Sequence, residues 1–115
     1  MTGRLAEINF ESRGESVVVS IAGEIDGSNA SEVRRAVADN VPASARLLIL
    51  DLSTTSYIDS AGVELIFELA RRLAARRQAL RLVVPEGSGV RRVLELCDVA
   101  SVAQVDSSVQ DASGT

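Results

Sequence analysis

Leu47-Leu48-Ile49-Leu50-Asp51-Leu52, followed after a short polar stretch by Ile58-Asp59-Ser60-Ala61-Gly62, decides how this chain folds. The first run is almost continuously apolar, the pattern of a strand covered on both faces of a parallel sheet. Beyond the second, Val63, Ile66, Phe67, Ala70, Leu73 and Ala74 recur at helical spacing. Glu64, Glu68, Arg71, Arg72, Arg76 and Arg77 fall largely between them. A strand, the hydroxyl-rich loop Ser53 to Ser56 and a helix from Ser60 to about Arg77 follow directly. Ser60 then stands where backbone N–H groups lack partners and the helix dipole is positive, a position that tolerates a phosphate.

Working outward, Leu5, Ala6, Ile8 and Phe10 read as an edge strand, and the segment around Gly14 as a hairpin turn. Val17 to Ile21 is a β-branched strand. Asn29 and Glu32 have capping-box spacing, and Ala30, Val33, Val37 and Val41 mark a first helix to about Asp39, closed by Pro42. Arg81 to Val84 is a strand stopped by Pro85. Val90, Val93, Leu94 and Cys97 give the stripe of a third helix, Val102 to Val105 a last short strand, and 106–115 a polar tail that frays or forms a weak helix.

This order predicts one α/β domain over 1–115, its core about 5–105. The sheet is mixed and mostly parallel, with four to five strands covered by three or more helices. Right-handed crossovers bring three loops to one edge: Gly23 to Ser28, Ser53 to Gly62, and Pro85 to Gly89. Open α/β sheets bind their partners there.

Composition excludes several functions. At 115 residues the chain buries roughly 65% of its unfolded surface, so it needs neither disulfide nor metal. A formal charge of -4 and 3% aromatic content argue against a nucleic-acid binder. Cys97 stands alone, which fits a cytoplasmic setting and forms no thiolate cluster. No export signal or membrane-spanning run is read in the sequence.

Ser60 is not a catalytic nucleophile on this pattern. Ile58 stands where a nucleophile elbow needs glycine, and the chain has no histidine to serve as base. All 12 basic residues are arginine, permanently protonated, so a Ser-Lys pair is excluded too. Gly87-Ser88-Gly89 lacks the third glycine of a dinucleotide loop, which would fall at Arg92. No metal site and no cofactor are expected. Taken alone, Asp59-Ser60-Ala61-Gly62 reads as an ordinary helix cap ahead of a presented serine, because four small residues at a helix start occur often by chance.

Three matches in order carry a resemblance. They are Gly23-Glu24-Ile25-Asp26 between strand and helix, Ile58 to Val63 opening the second helix, and Pro85 with Val90-Arg91-Arg92-Val93-Leu94-Glu95-Leu96 opening the third. With Leu47 to Leu52 they make the chain similar to the STAS domain, and within it to the bacterial anti-sigma factor antagonists. The resemblance implies a binding module and not an enzyme. Its unphosphorylated form would dock on an anti-sigma factor with serine kinase activity and free the sigma factor. Phosphorylation of Ser60 would block docking, and a phosphatase would reverse it. Asp26 and Asp59 match the acidic neighbours of the phosphosite. The implied docking surface takes Asp26, Gly27 and Ser28 from the first loop. The second contributes Asp59, Ser60, Ala61, Gly62 and Val63, and the third Pro85 and Ser88. Ala61 stands where many members carry a second hydroxyl, and Leu96-Cys97-Asp98-Val99 departs from the usual third-helix ending. A STAS accessory subunit of a lipid ABC transporter, or a stressosome-like scaffold, would share the fold without the phosphorylation. A nucleotide-binding module at the same edge is a further alternative.

Overall fold

The computed structural model describes residues 6–113; Leu5 of the expected first strand and the end of the tail lie outside them. In chain order come β1 (Ala6–Arg13), β2 (Ser16–Ile25), α1 (Ala30–Asn40), β3 (Leu47–Asp51), β4 (Thr55–Ile58), α2 (Ser60–Ala75), β5 (Ala79–Val83), α3 (Gly89–Leu96), β6 (Gln104–Asp106) and α4 (Val109–Ser113). The sheet runs β1-β2-β3-β5-β6, with β4 alongside β2. Only the β1–β2 hairpin is antiparallel, and β2, β3, β5 and β6 pair in parallel.

The sheet therefore has six strands, where four to five were expected. The addition is β4, which sequence reading begins as the hydroxyl-rich loop Ser53 to Ser56. Thr55 is buried, and its hydroxyl donates to the Ile21 carbonyl at 2.6 Å. Tyr57 and Ile58 pair with Glu24 and Ile25 after a register shift at Gly23. Gly23 takes φ 107°, a left-handed value that favours glycine, and its N–H donates to the Thr54 carbonyl. The long strand β2 thus serves two neighbours, β3 along 16–20 and β4 along 23–25.

Alternation along the strands divides two cores. Val17, Val19, Ile21, Leu48, Leu50 and Leu82 face the layer of α1, α2 and α3, whose Val33, Val37, Leu65, Ile66, Leu69 and Leu94 close over them. Each such side chain contributes about 1.5–3 kcal/mol relative to exposure. On the opposite face Val18, Ile49 and Val83 pack with Ala112 of α4. An Arg81 guanidinium N–H donates to the Ala112 carbonyl and ties that short helix down. Part of the expected polar tail is therefore ordered against the sheet.

Candidate functional site

The carboxyl ends of β2 and β4 sit side by side, and the segments leaving them meet. Asp59, the first residue beyond β4, donates its N–H to the Ile25 carbonyl at 3.2 Å. Its side chain then does two jobs. Oδ1 accepts from the N–H groups of Ala61 (2.9 Å) and Gly62 (3.2 Å), capping α2. Oδ2 accepts from the Gly27 N–H at 3.3 Å, reaching across to the loop after β2. One carboxylate joins the two loops and fixes where α2 begins.

The β2–α1 loop is held from within. The Asp26 carbonyl accepts from Asn29 and Ala30, starting α1. Asp26 Oδ1 accepts from the Ser28 hydroxyl at 2.6 Å and the Ser28 N–H at 2.9 Å. The Ser28 hydroxyl, more than any other contact, holds the Asp26 carboxyl below the usual carboxylate range, with the Ser28 N–H second. Asn29 departs from the expected capping box, because its side chain makes no cap hydrogen bond to α1. It is only 6% exposed. Its Oδ1 accepts from the Asp26 N–H at 2.9 Å and its Nδ2 donates to the Glu24 carbonyl at 2.8 Å. It braces the loop backwards. The Asn-x-x-Glu spacing gave no signal of that role.

Ser60 is the first residue of α2 and is exposed, with Asp59 before it and half-buried Ala61 after it. Gly62 and Val63, expected on the docking surface, are instead buried; Val63 is 6% exposed and belongs to the core. The helical turn carries both toward the sheet, so they support Ser60 from beneath. Gly62 lies so close that an added Cβ would overlap Ile58 Cγ1 and lie 3.1 Å from the Ile25 carbonyl oxygen.

Pro85 and Ser88 follow β5 and, by parallel pairing, leave the same edge of the sheet. Their contacts are local. The Ser88 hydroxyl caps α3 by accepting from the Arg91 N–H at 3.0 Å, and the Arg91 guanidinium donates to the Val84 carbonyl at 2.7 Å. The hydrogen-bonded unit around Ser60 is made by the first two loops. Tyr57, three residues before Ser60 and 50% exposed, is a large side chain beside the site that sequence reading passed over.

Chemically the site offers one accessible hydroxyl at a helix start, two carboxylates and exposed Gly27 and Ser28. Two first-turn N–H donors are already occupied by Asp59, so they do not stand open for a phosphate on Ser60. Among the described residues no group of three His, Cys, Asp or Glu is placed to hold a metal, and no helix is long and apolar enough to cross a membrane.

The STAS domain model matches residues 7–112. The anti-sigma-F factor antagonist RsfB of Mycobacterium tuberculosis is 28% identical over 96 residues, which cover 83% of this chain and 76% of that protein. The fold is similar to the crystal structure of an anti-sigma factor antagonist from Mycobacterium paratuberculosis. There the TM-score is 0.83 and the identity 23%, covering 93% of this chain and 90% of the other. It is also similar to the Bacillus cell fate determinant SpoIIAA in its phosphorylated form, at TM-score 0.65 and 22% identity, covering 92% and 96% of the two chains.

Proposed function

Since this chain belongs to the STAS domain family, we propose that it works as an anti-sigma factor antagonist switched at Ser60. The unphosphorylated protein docks through the Asp26–Ser28 and Asp59–Ala61 edge onto an anti-sigma factor with serine kinase activity, and the sigma factor is released. The kinase phosphorylates Ser60 and ends the contact, and a phosphatase restores it. The protein acts by binding and not by catalysis, in the cytoplasm where sigma factors work. The observation that carries this reading is the exposed Ser60 at the start of α2, set by an Asp59 that is hydrogen-bonded to the neighbouring loop. Its resemblance to RsfB supports the partner class.

The physics of the switch is electrostatic and local. Phosphate adds about -1.5 to -2 charge at neutral pH. On Ser60 that charge lies beside the Asp59 carboxylate, whose own hydrogen bonds already occupy Ala61 and Gly62. The dianion is left at the surface where a partner must approach. A penalty of about 3 kcal/mol at the interface is roughly a hundredfold in affinity. The fold itself has no need to rearrange, and the SpoIIAA structure is consistent with a fold of this kind carrying phosphate.

The test is incubation with the candidate anti-sigma kinase and ATP, followed by mass spectrometry and binding measurements on wild type, Ser60→Ala and Ser60→Asp. Phosphate on Ser60, retained binding by Ser60→Ala and lost binding by Ser60→Asp are expected. Phosphate elsewhere, or a Ser60→Asp protein that binds like wild type, overturns the reading.

A further inference from the structure

The strand β1 ends the sheet. Among the described residues it has β2 as its one strand neighbour, and no loop backbone bonds to its other side. The hairpin fixes which groups are left over. Arg13 pairs with Ser16 across the two-residue turn Gly14-Glu15, where Gly14 takes φ 61° at the first turn position. The pair flanking such a turn exchanges both its hydrogen bonds, and bonded pairs recur at every second residue. Glu7, Asn9, Glu11 and Arg13 therefore direct their N–H and C=O groups to β2, while Ala6, Ile8, Phe10 and Ser12 turn theirs outward. Exposed edges are commonly blunted by proline, a bulge or a very short strand. This one runs eight residues without proline, glycine or a register shift.

From this we infer that β1 is a self-association edge, on which the β1 of a second copy of this chain lies antiparallel with Phe10 on the two-fold axis. Outward groups must meet outward groups, so the allowed registers differ by slips of two residues. With Phe10 facing Phe10, Ile8 faces Ser12 of the second copy, and about six main-chain hydrogen bonds form. On the exposed face Glu7 then stands opposite Arg13 of the second copy, twice by symmetry, and Glu11 opposite Asn9. A slip of two residues one way sets Glu7 against Glu11 twice, and a slip the other way sets Glu11 against Glu11. Like charges directly opposite destabilise a strand pair and opposite charges support it, so the Phe10 register is selected over both neighbours. Arg13 Nε already lies 2.9 Å from Glu11 of its own strand, and a guanidinium keeps donors for a second carboxylate. On the helix face Ile8 and Phe10 are half-buried, and pairing covers the apolar surface they still show. A groove open to solvent between β1 and α1, lined by Ala6, Ile8, Glu32 and Ala36, leaves the second copy's side chains room there. The contact uses the same strand on both copies, so it closes at two.

Position keeps the edge independent of Ser60. Antiparallel pairing reverses the second sheet, so the carboxyl ends of the two β2 strands point opposite ways and both Ser60 edges stay open. The inference therefore stands whether or not the proposed function does.

The test is sedimentation equilibrium of the full chain from about 10 µM to about 1 mM, with ¹⁵N NMR shifts followed over the same range. A monomer–dimer equilibrium with a dissociation constant of about 10–100 µM is expected, as suits a small interface, with concentration-dependent shifts centred on 6–13. Glu7→Arg and Arg13→Glu, both at exposed positions, should each weaken the dimer about tenfold, and the double reversal should restore it to within about twofold of wild type. Ser12→Pro removes an outward N–H, leaves the ladder to β2 intact and should abolish the dimer. If circular dichroism shows that variant unfolded, the charge reversals decide. Ser60→Asp should dimerise as wild type does. A chain still monomeric at the highest concentration overturns the inference, as does a dimer whose shifts map to another element. Growth beyond two copies, or a double reversal no better than either single one, overturns it too.

Discussion

Replacing Gly62 by alanine tests how closely α2 must approach the sheet. The added Cβ would overlap Ile58 Cγ1 and stand 3.0 Å from Ile58 Cδ1 and 3.1 Å from the Ile25 carbonyl oxygen. Neither neighbour yields easily. Ile58 is 3% exposed, and its Cγ1, bonded directly to Cβ, moves only if χ1 leaves its rotamer. The Ile25 carbonyl is fixed by the Asp59 N–H at 3.2 Å. Overpacking of this kind costs about 1–3 kcal/mol. Against it, alanine improves helix propensity over glycine by ~0.8–1.0 kcal/mol in a helix interior, and by less in a first turn. The clash wins, leaving a net loss of about 1–2 kcal/mol. That lowers the melting temperature by ~4–8 °C for a domain of this size. Urea unfolding should show a lower midpoint with an unchanged slope. In an Ile58→Ala background, where the overlapping atom is gone, the same substitution should cost about 1 kcal/mol less. A Gly62→Ala protein as stable as wild type, or strictly additive effects in the cycle, would refute the close-approach argument.

Asp59→Ala should remove the α2 cap and the link to Gly27 together, at about 0.5–2 kcal/mol, whereas Asp59→Asn keeps an acceptor for the cap and should lose less; chemical denaturation ranks the pair. The Asp26 carboxyl should titrate below the ordinary value of about 3.9 when followed by NMR, and Ser28→Ala should move it upward. Because the folded state favours ionised Asp26, its contribution to stability is present above the unfolded pKa and fades as pH falls through the folded one. Asn29→Ala strands the Glu24 carbonyl and the Asp26 N–H and should cost about 1–3 kcal/mol, with loop signals at 26–28 broadening in NMR spectra while those of β3 stay sharp.

Much of the architecture was legible because burial imposes periodicity. Leu47 to Leu52 had to be a central strand, and the stripe from Val63 to Leu73 had to lie on it. What escaped was set by tertiary pairing. Thr55 and Ser56 look like loop chemistry, and with Tyr57 and Ile58 become a strand through the second half of β2 and the Thr55 hydroxyl. Helix ends shifted for similar reasons: α2 stops at Ala75, and Arg77 turns to φ 60°, although the helical pattern runs on to Arg77. At the site, residue types pointed to Asp59 and Ser60, and Asp26 was reached only through the family resemblance. The Gly27 N–H donating to Asp59, and the inward-turned Asn29, are backbone and reverse contacts that no spacing rule announces.

The exchange of partners at Gly23 gives β2 two tiers of resistance to opening. Residues 16–20 are laced between β1 and β3, whereas Glu24 and Ile25 pair with four-residue β4. Amide hydrogen exchange at Glu24, Ile25 and Ser60 should therefore run ahead of Val17 to Ser20, through fluctuations that leave the central ladder closed. Opening of that short outer segment therefore leaves the central strands of the sheet in their native pairing.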